Sequence, residues 1–316
     1  MKNLNYSLIG AAGYIAPRHM KAMNATGGTL LSAYDPSDSV GIIDSHFPDA
    51  RFYTDFENYS ADVVNSKNSD QAVDYIGICS PNYLHDAHMR FGLRAGADVI
   101  CEKPLVVDPS SIAGLQAVEK ETGNTINCIL QLRLHPAILE LKAMVDSKPS
   151  DEIFDVDLTH ITSRGAWYQA SWKGDERKSG GIATNIGVHF YDMLAFIFGD
   201  LQDSFVHFRS HDSAAGYLQF AKARVRWLLS INRNNLPANT PQGQTTYRSI
   251  TVNNDEVEFS GGFTDLHTQS YERVLAGDGF SLATVEPSIR LVSQIMKSPI
   301  DTSLGDNHPM LSNLTS

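Results

Sequence analysis

The run Tyr6-Ser7-Leu8-Ile9-Gly10-Ala11-Ala12-Gly13-Tyr14-Ile15-Ala16 constrains this chain more than any other: an apolar strand passes through a GxxGxxA turn into a stretch with helical spacing. Glycines in such a turn let the backbone bend sharply and approach a pyrophosphate, whose charge is then held by amide groups at the helix N-terminus. The motif is looser than GxGxxG because Ala12 takes the place of the middle glycine, so alone it suits an ordinary strand-turn-helix equally well. Its context decides. A second strand, Thr29 to Tyr34, ends in Asp35 at the spacing where a carboxylate meets the adenosine ribose. That carboxylate accepts hydrogen bonds from the ribose hydroxyls and repels a 2′-phosphate, which selects NAD over NADP.

The pattern continues as short apolar runs separated by amphipathic stretches. Tyr75 to Cys79, Asp98 to Cys101 and Ile126 to Leu130 read as strands, and Ala16 to Ala25, Asp55 to Asn65, Leu84 to Ala95 and Pro109 to Thr122 as helices. Near-continuous apolar strands alternating with helices mean a parallel sheet buried on both faces. Beyond it strand follows strand. Ile153 to Thr162 alternates, with Phe154, Val156 and Leu158 opposite Asp155, Asp157 and Thr159, and Phe205 to Phe208, Ala223 to Ser230, Tyr247 to Val252 and Glu256 to Phe259 repeat the theme. The expected fold is α/β: a doubly wound parallel-sheet Rossmann domain over residues 1–130, then an α+β domain over 131–316 with an open, mostly antiparallel sheet. Asn232 to Gln244 reads as a surface loop and Asn307 to Ser316 as a loosely held tail.

Composition narrows the class of partner. Thirty-six acidic residues against twenty-five Lys and Arg give a formal charge of −11. No basic run exceeds Arg177-Lys178, so neither nucleic acid nor an anionic membrane is an expected partner. No secretory leader and no stretch of about 18 apolar residues is visible, which points to the cytoplasm. Cys79, Cys101 and Cys128 stand singly in apolar runs and read as buried thiols, not as a disulfide framework or a zinc cage.

Two further constellations carry chemistry. At the carboxyl ends of strands lie Ser80-Pro81-Asn82, with His85 close behind, and Glu102-Lys103-Pro104, where small polar groups and an ammonium face the crevice in which open α/β sheets bind ligands. Ser179-Gly180-Gly181 then opens a helix in which Asn185, His189 and Asp192 are spaced four and three apart on one face. An imidazole there takes the proton of a substrate hydroxyl as a hydride leaves the same carbon.

Together these motifs resemble the Gfo/Idh/MocA family of sugar oxidoreductases. Leu8 to Met20, Ile161 to Tyr168, Ser171 to Asp175 and Asn185 to Met193 resemble in particular its UDP-N-acetylglucosaminuronate 3-dehydrogenases, which serve O-antigen sugar synthesis within lipopolysaccharide. The resemblance implies oxidation of the sugar C3 hydroxyl by NAD, in some members with the bound NADH reoxidised in place by 2-oxoglutarate, and a homotetramer. It implies catalytic roles for Lys103, His189 and Asn185. The implied cofactor residues are Gly10, Ala12, Gly13, Tyr14, Ile15, Asp35, Ser80, Pro81, Asn82, His85, Glu102, Lys103 and Gln131. Those implied for substrate are Arg18, Lys103, Arg164, Tyr168, Trp172, Asn185 and His189.

One departure matters. Many members carry Asp where this chain has Asn185, and an amide cannot titrate, so proton removal falls to His189 with Lys103 as electrostatic partner. A UDP-sugar acid carries a diphosphate and a carboxylate, which suit Arg18, Arg164, Lys173 and Arg177, with Trp167, Tyr168 and Trp172 available for stacking. Another sugar or a cyclitol as substrate, and a dinucleotide-binding regulator without catalysis, stay open. A zinc enzyme built on His85, His88, His19 and His189 is disfavoured because no cysteine stands at ligand spacing.

Overall fold

The computed structural model describes residues 4–257, 259 and 262–315 and divides into two compact units. The first comprises Met1–Gln131 together with Asp265–Glu286, and the second Leu132–Thr264 with Pro287–Ser316.

In chain order the first unit contains β1 (Asn5–Ile9), α1 (Ala16–Ala25), β2 (Thr29–Tyr34), β3 (Arg51–Tyr53), α2 (Phe56–Ser66), β4 (Tyr75–Ile78), α3 (His85–Ala95), β5 (Asp98–Cys101), α4 (Ser111–Thr122) and β6 (Ile126–Cys128). The six strands are parallel in the order 6-5-4-1-2-3. The order of winding reverses between β1 and β4, where Ile9 pairs with Tyr34 on one side and Ile78 on the other. That switch point is where such sheets bind ligands. Tyr6, Leu8, Ile9, Ile76, Ile78, Val99, Ile100 and Cys101 are all fully buried, consecutive residues included, so both faces of the sheet are covered. Pro17 in the first turn suits the start of α1, whose Ala16, Met20 and Met23 recur at helical spacing on the buried face.

The second unit contains α5 (Pro136–Asp146), β7 (Phe154–Thr162), α6 (Ala166–Ala170), α7 (Glu176–Ser179), a π-helical turn over Ala183–Gly187, α8 (Val188–Phe198), β8 (Leu201–Arg209), β9 (Ser213–Phe220), β10 (Ala223–Ser230), β11 (Thr246–Val252) and β12 (Asp255–Glu256). Its sheet runs 12-11-7-10-9-8, antiparallel except for the β7–β10 pair. Inward residues Phe154, Val156, Leu158, Val225 and Trp227 pack against Ile138 and Leu141 of α5 and Val188 to Phe198 of α8. On the opposite face Asp155 pairs with Arg224 and Asp157 with Arg226 across β7 and β10.

Four elements complete the chain: α9 (Leu266–Leu275) and β13 (Phe280–Ser281) in the first unit, α10 (Leu282–Lys297), and α11 (Ser312–Thr315) in the second. β13 pairs antiparallel with β6. α9 lies against α1, with Lys21 Nζ bonded to Asp265 at 2.5 Å.

Two expectations need adjustment. The tail from Asn307 is packed, not loose: His308 is buried and bonded to Thr159 Oγ1 at 3.0 Å, while Met310, Leu311 and Leu314 cover Ile161, Ala215 and Leu228. Four apolar or buried anchors outweigh the entropy of a short terminal segment. The final strand expected over Glu256 to Phe259 reaches only Asp255–Glu256, and position 258 lies outside the described residues. The run Glu176–Phe198 is, among the described residues, the one helical stretch long and apolar enough to cross a membrane. Since 72% of its most apolar part is buried in the protein, it is a core helix. Cys101 and Cys128 lie in β5 and β6 and Cys79 just beyond β4, all as free thiols, and burial pushes those of Cys79 and Cys101 well up.

Candidate active site

In the first unit the site is built at the carboxyl ends of β1, β2, β4 and β5. Gly10 ends β1 at φ 90°, and a Cβ there would lie 2.6 Å from the Cys79 carbonyl carbon and the Ser80 nitrogen. No side chain fits that approach of the β1 and β4 ends, which explains the glycine. The turn closes through Gly13 N–H to Gly10 O at 3.1 Å and Ala16 N–H to Gly13 O at 3.0 Å, leaving Ala12, Tyr14 and Ile15 on its rim. Asp35, buried after β2, accepts the Ala12 N–H through Oδ2 at 3.0 Å and the Ser37 N–H through Oδ1 at 2.9 Å. Each oxygen retains a lone pair for a ribose hydroxyl. Tyr14 is 88% exposed with the Arg18 guanidinium 5.6 Å from its ring centre.

After β4, Ser80 and Asn82 are buried, and Ser80 Oγ bonds to His88 Nδ1 at 2.8 Å. His85 lies 2.8 Å from two carbonyl oxygens, Ser80 O at Nε2 and Pro104 O at Nδ1, so it braces the β4 and β5 ends against each other. Glu102 is buried and its Oε1 accepts N–H bonds from His19 and His267, both at 3.0 Å. Lys103 follows, half-buried, and its peptide bond to Pro104 is cis. Beyond β6, Oε1 of Gln131 is buried and has no hydrogen-bond partner among the described residues. The glycine cradle, the carboxylate of Asp35 and this unsatisfied oxygen are what a dinucleotide requires, so the residues fit NAD.

The second unit holds the other group. Asn185 sits in the π-helical turn and His189 at the start of α8, so the wide turn interrupts the ordinary helical register between them. Gly180, at φ 78°, leads into this turn, and a Cβ there would come within 2.5 Å of Thr184. Asn185 Nδ2 donates to the Tyr168 hydroxyl at 2.7 Å, and burial raises the Tyr168 pKa. Lys173 Nζ lies 4.3 Å from the Trp172 ring centre and 5.7 Å from that of Trp167. Burial and then the nearby Arg164 pull the Lys173 pKa down, and Arg164 also acts on Tyr168. Arg164, Tyr168, Trp172, Lys173 and Asn185 therefore form one cationic and aromatic cluster. Arg177 stands apart, 91% exposed at its side chain and paired with its neighbour Asp175.

Asp192, grouped by spacing with Asn185 and His189, is engaged elsewhere. Arg133 grips it with two parallel bonds of 2.8 Å, and the guanidinium lies 5.1 Å from the Phe196 ring centre. Burial raises the Asp192 pKa, with Arg133 opposing. Sequence reasoning missed Arg133, His267 and Tyr271, whose partners lie 59, 165 and 252 residues away and leave no local signal.

Comparison with known proteins gives the family. Residues 4–129 match the Gfo/Idh/MocA model described as an oxidoreductase family with an NAD-binding Rossmann fold, and 151–242 its C-terminal alpha/beta domain. The WlbA (WbpB) dehydrogenase from Thermus thermophilus, solved with NAD and UDP-GlcNAcA, is 45% identical at a TM-score of 0.93, covering 98% of this chain and 100% of that one. The same protein solved with NAD and alpha-ketoglutarate is 46% identical, with the same coverage and TM-score. Among curated proteins, inositol 2-dehydrogenase from Rhizobium meliloti (strain 1021) is 25% identical over 198 residues, 62% of this chain. The chain thus spans only 56% of that relative's length.

Proposed function

The chain belongs to the Gfo/Idh/MocA oxidoreductase family, and from that premise we propose that it is an NAD-dependent dehydrogenase that oxidises the C3 hydroxyl of UDP-N-acetylglucosaminuronic acid to the 3-keto sugar. NAD, when bound, supplies the acceptor for the hydrogen and two electrons that leave C3. Gly10, Ala12, Gly13, Tyr14 and Ile15 would hold its pyrophosphate side, Asp35 its ribose, and Ser80, Pro81, Asn82 and Gln131 its far half. His85 and Glu102 serve the same region as braces.

His189 removes the hydroxyl proton. Lys103 donates a hydrogen bond to the same oxygen and stabilises the negative charge that builds on it as the proton departs. Asn185 carries no proton to give at neutral pH and orients the sugar, itself oriented by Tyr168. Arg164 and Lys173 meet the diphosphate and carboxylate, and Trp172 the uracil or sugar face.

The observation that carries this reading is the cluster of Arg164, Tyr168, Lys173 and Asn185 on the elements before His189, in a chain 45% identical over nearly its whole length to a protein that binds UDP-GlcNAcA. The reading extends to NADH reoxidation in place by 2-oxoglutarate, supported by the alpha-ketoglutarate complex of the same relative. It extends also to a cytoplasmic homotetramer in O-antigen sugar synthesis. A cyclitol substrate is the second reading, favoured by the inositol 2-dehydrogenase match. Rates of nicotinamide reduction with UDP-N-acetylglucosaminuronate, UDP-N-acetylglucosamine and myo-inositol separate the two: preference for the uronate supports the proposal, and preference for the cyclitol overturns it.

A further inference from the structure

Lys103 is held on both sides by buried imidazoles that come from distant parts of the chain. The preceding residue, Glu102, receives His19 from α1 and His267 from α9 on Oε1, each at 3.0 Å, and the backbone N–H of Lys103 on Oε2 at 3.3 Å. The following residue, Pro104, presents its carbonyl to His85 at 2.8 Å. The hydroxyl of Tyr271, one turn beyond His267 on α9, lies 2.8 Å from His19 Nδ1. The Glu102 carboxylate can only accept, so the proton of a neutral His19 sits on Nε2, and Nδ1 is left to accept the Tyr271 hydroxyl. Burial lowers the His19 pKa, and for Glu102 the two histidine bonds outweigh burial and hold it well below the usual carboxylate range. The centre is thus a carboxylate with neutral His19 beside it, all of it in the first unit.

Such a group is a poor device for stability alone. A buried carboxylate loses its hydration, and replacing buried polar clusters with apolar side chains of similar size is often neutral or stabilising. Its three donors occupy three of the roughly four acceptor sites of a carboxylate, and one of them is the amide of Lys103 itself. The network therefore restrains the backbone from which the lysine side chain departs, and displacement of a catalytic group by about 1 Å costs on the order of a hundredfold in rate.

We infer that Glu102, His19 and His267 are positioning residues for Lys103, with Tyr271 holding the far ring nitrogen of His19. The inference rests on the role proposed above for Lys103. It gives α9 a part in catalysis, because His267 and Tyr271, one turn apart on the same face, complete the anchor of a lysine that precedes them by more than half the chain.

The test compares His267→Phe, which keeps a ring but removes the N–H, with His267→Gln, which keeps a donor. Tyr271→Phe, which removes one hydroxyl, provides a second route should His267→Phe fail to fold. Hydrogen exchange at the Lys103 amide is read without substrate. Exchange is expected to rise at Lys103 in His267→Phe or Tyr271→Phe, with protection of β1 and β4 retained, and to stay near the parent in His267→Gln. With UDP-N-acetylglucosaminuronate, kcat is expected to fall about 10- to 100-fold in His267→Phe at unchanged NAD affinity, and to recover in His267→Gln. In a Lys103→Met background the same substitution should cost nothing further, because its effect runs through the lysine. Unchanged exchange at Lys103, or a full additional loss in the Lys103→Met background, would overturn the inference. So would a stoichiometric divalent metal in the purified protein, since the two histidines would then be ligands. Lack of turnover by the parent enzyme counts against the proposed substrate, while the exchange result still decides the anchoring.

Discussion

Asn185 donates a 2.7 Å hydrogen bond to the hydroxyl of Tyr168, seventeen residues earlier in the chain. The bond consumes one amide hydrogen and fixes the orientation of the Asn185 amide. Tyr168→Phe removes the acceptor and lets the amide rotate. The KM for the UDP-sugar is expected to rise about 5- to 30-fold, the worth of one or two kcal/mol, with NAD binding unchanged. An unaltered KM in steady-state kinetics would remove Asn185 from the substrate site.

His189 carries the proton in this account because Asn185 cannot. His189→Gln is expected to lower kcat on the order of 10²- to 10⁴-fold and to abolish the acidic limb of the kcat/KM profile, while Asn185→Asp leaves that limb in place. A pH profile still carrying the limb in His189→Gln would assign the base elsewhere.

Asp35 serves two purposes at once, excluding a 2′-phosphate and holding the Ala12 amide at 3.0 Å. Asp35→Ser should therefore shift the ratio of NADP to NAD efficiency by roughly tenfold or more, and weaken NAD as well, because a charged hydrogen bond worth about 1.5–3 kcal/mol is lost. Parallel titrations with the two cofactors measure both effects. A loss confined to NADP would reverse the assignment.

Acid should unfold the protein through buried neutral histidines. Burial lowers the pKa of His88 and of His308 from 6.5 to about 4. Between those values the unfolded chain binds protons that the folded chain refuses, so stability falls as pH falls through this window, by about 1.4 kcal/mol per pH unit for each histidine. His308→Gln, whose amide replaces the bond to Thr159 without titrating, should flatten the decline. Urea midpoints recorded from neutral pH downward check it.

Legibility in the sequence follows the range of the interactions. The β1 strand, Gly10 and Asp35 are readable because each is announced by residues within a few positions. Three-residue β3 has too short a run to signal itself, and β9 begins Ser-Ala-Ala-Gly, without the branched and aromatic residues that mark strands. For Arg164, Tyr168 and Lys173 the sequence offers only proximity along the chain, and the fold brings them together within one unit. The grip of Arg133 on Asp192 and the partners of Glu102 are beyond its reach, since side chains 59 to 165 residues apart meet only through tertiary packing.

In the proposed reaction hydrogen leaves C3 of a UDP-sugar acid. The direct measurement supplies UDP-N-acetylglucosaminuronate carrying deuterium at C3, with NAD and 2-oxoglutarate, and follows the label by mass spectrometry. The expected sugar product has lost the deuterium and become a ketone, with the label recovered in reduced nicotinamide or in 2-hydroxyglutarate. Deuterium retained at C3 after turnover, or no turnover of this sugar at all, would contradict it.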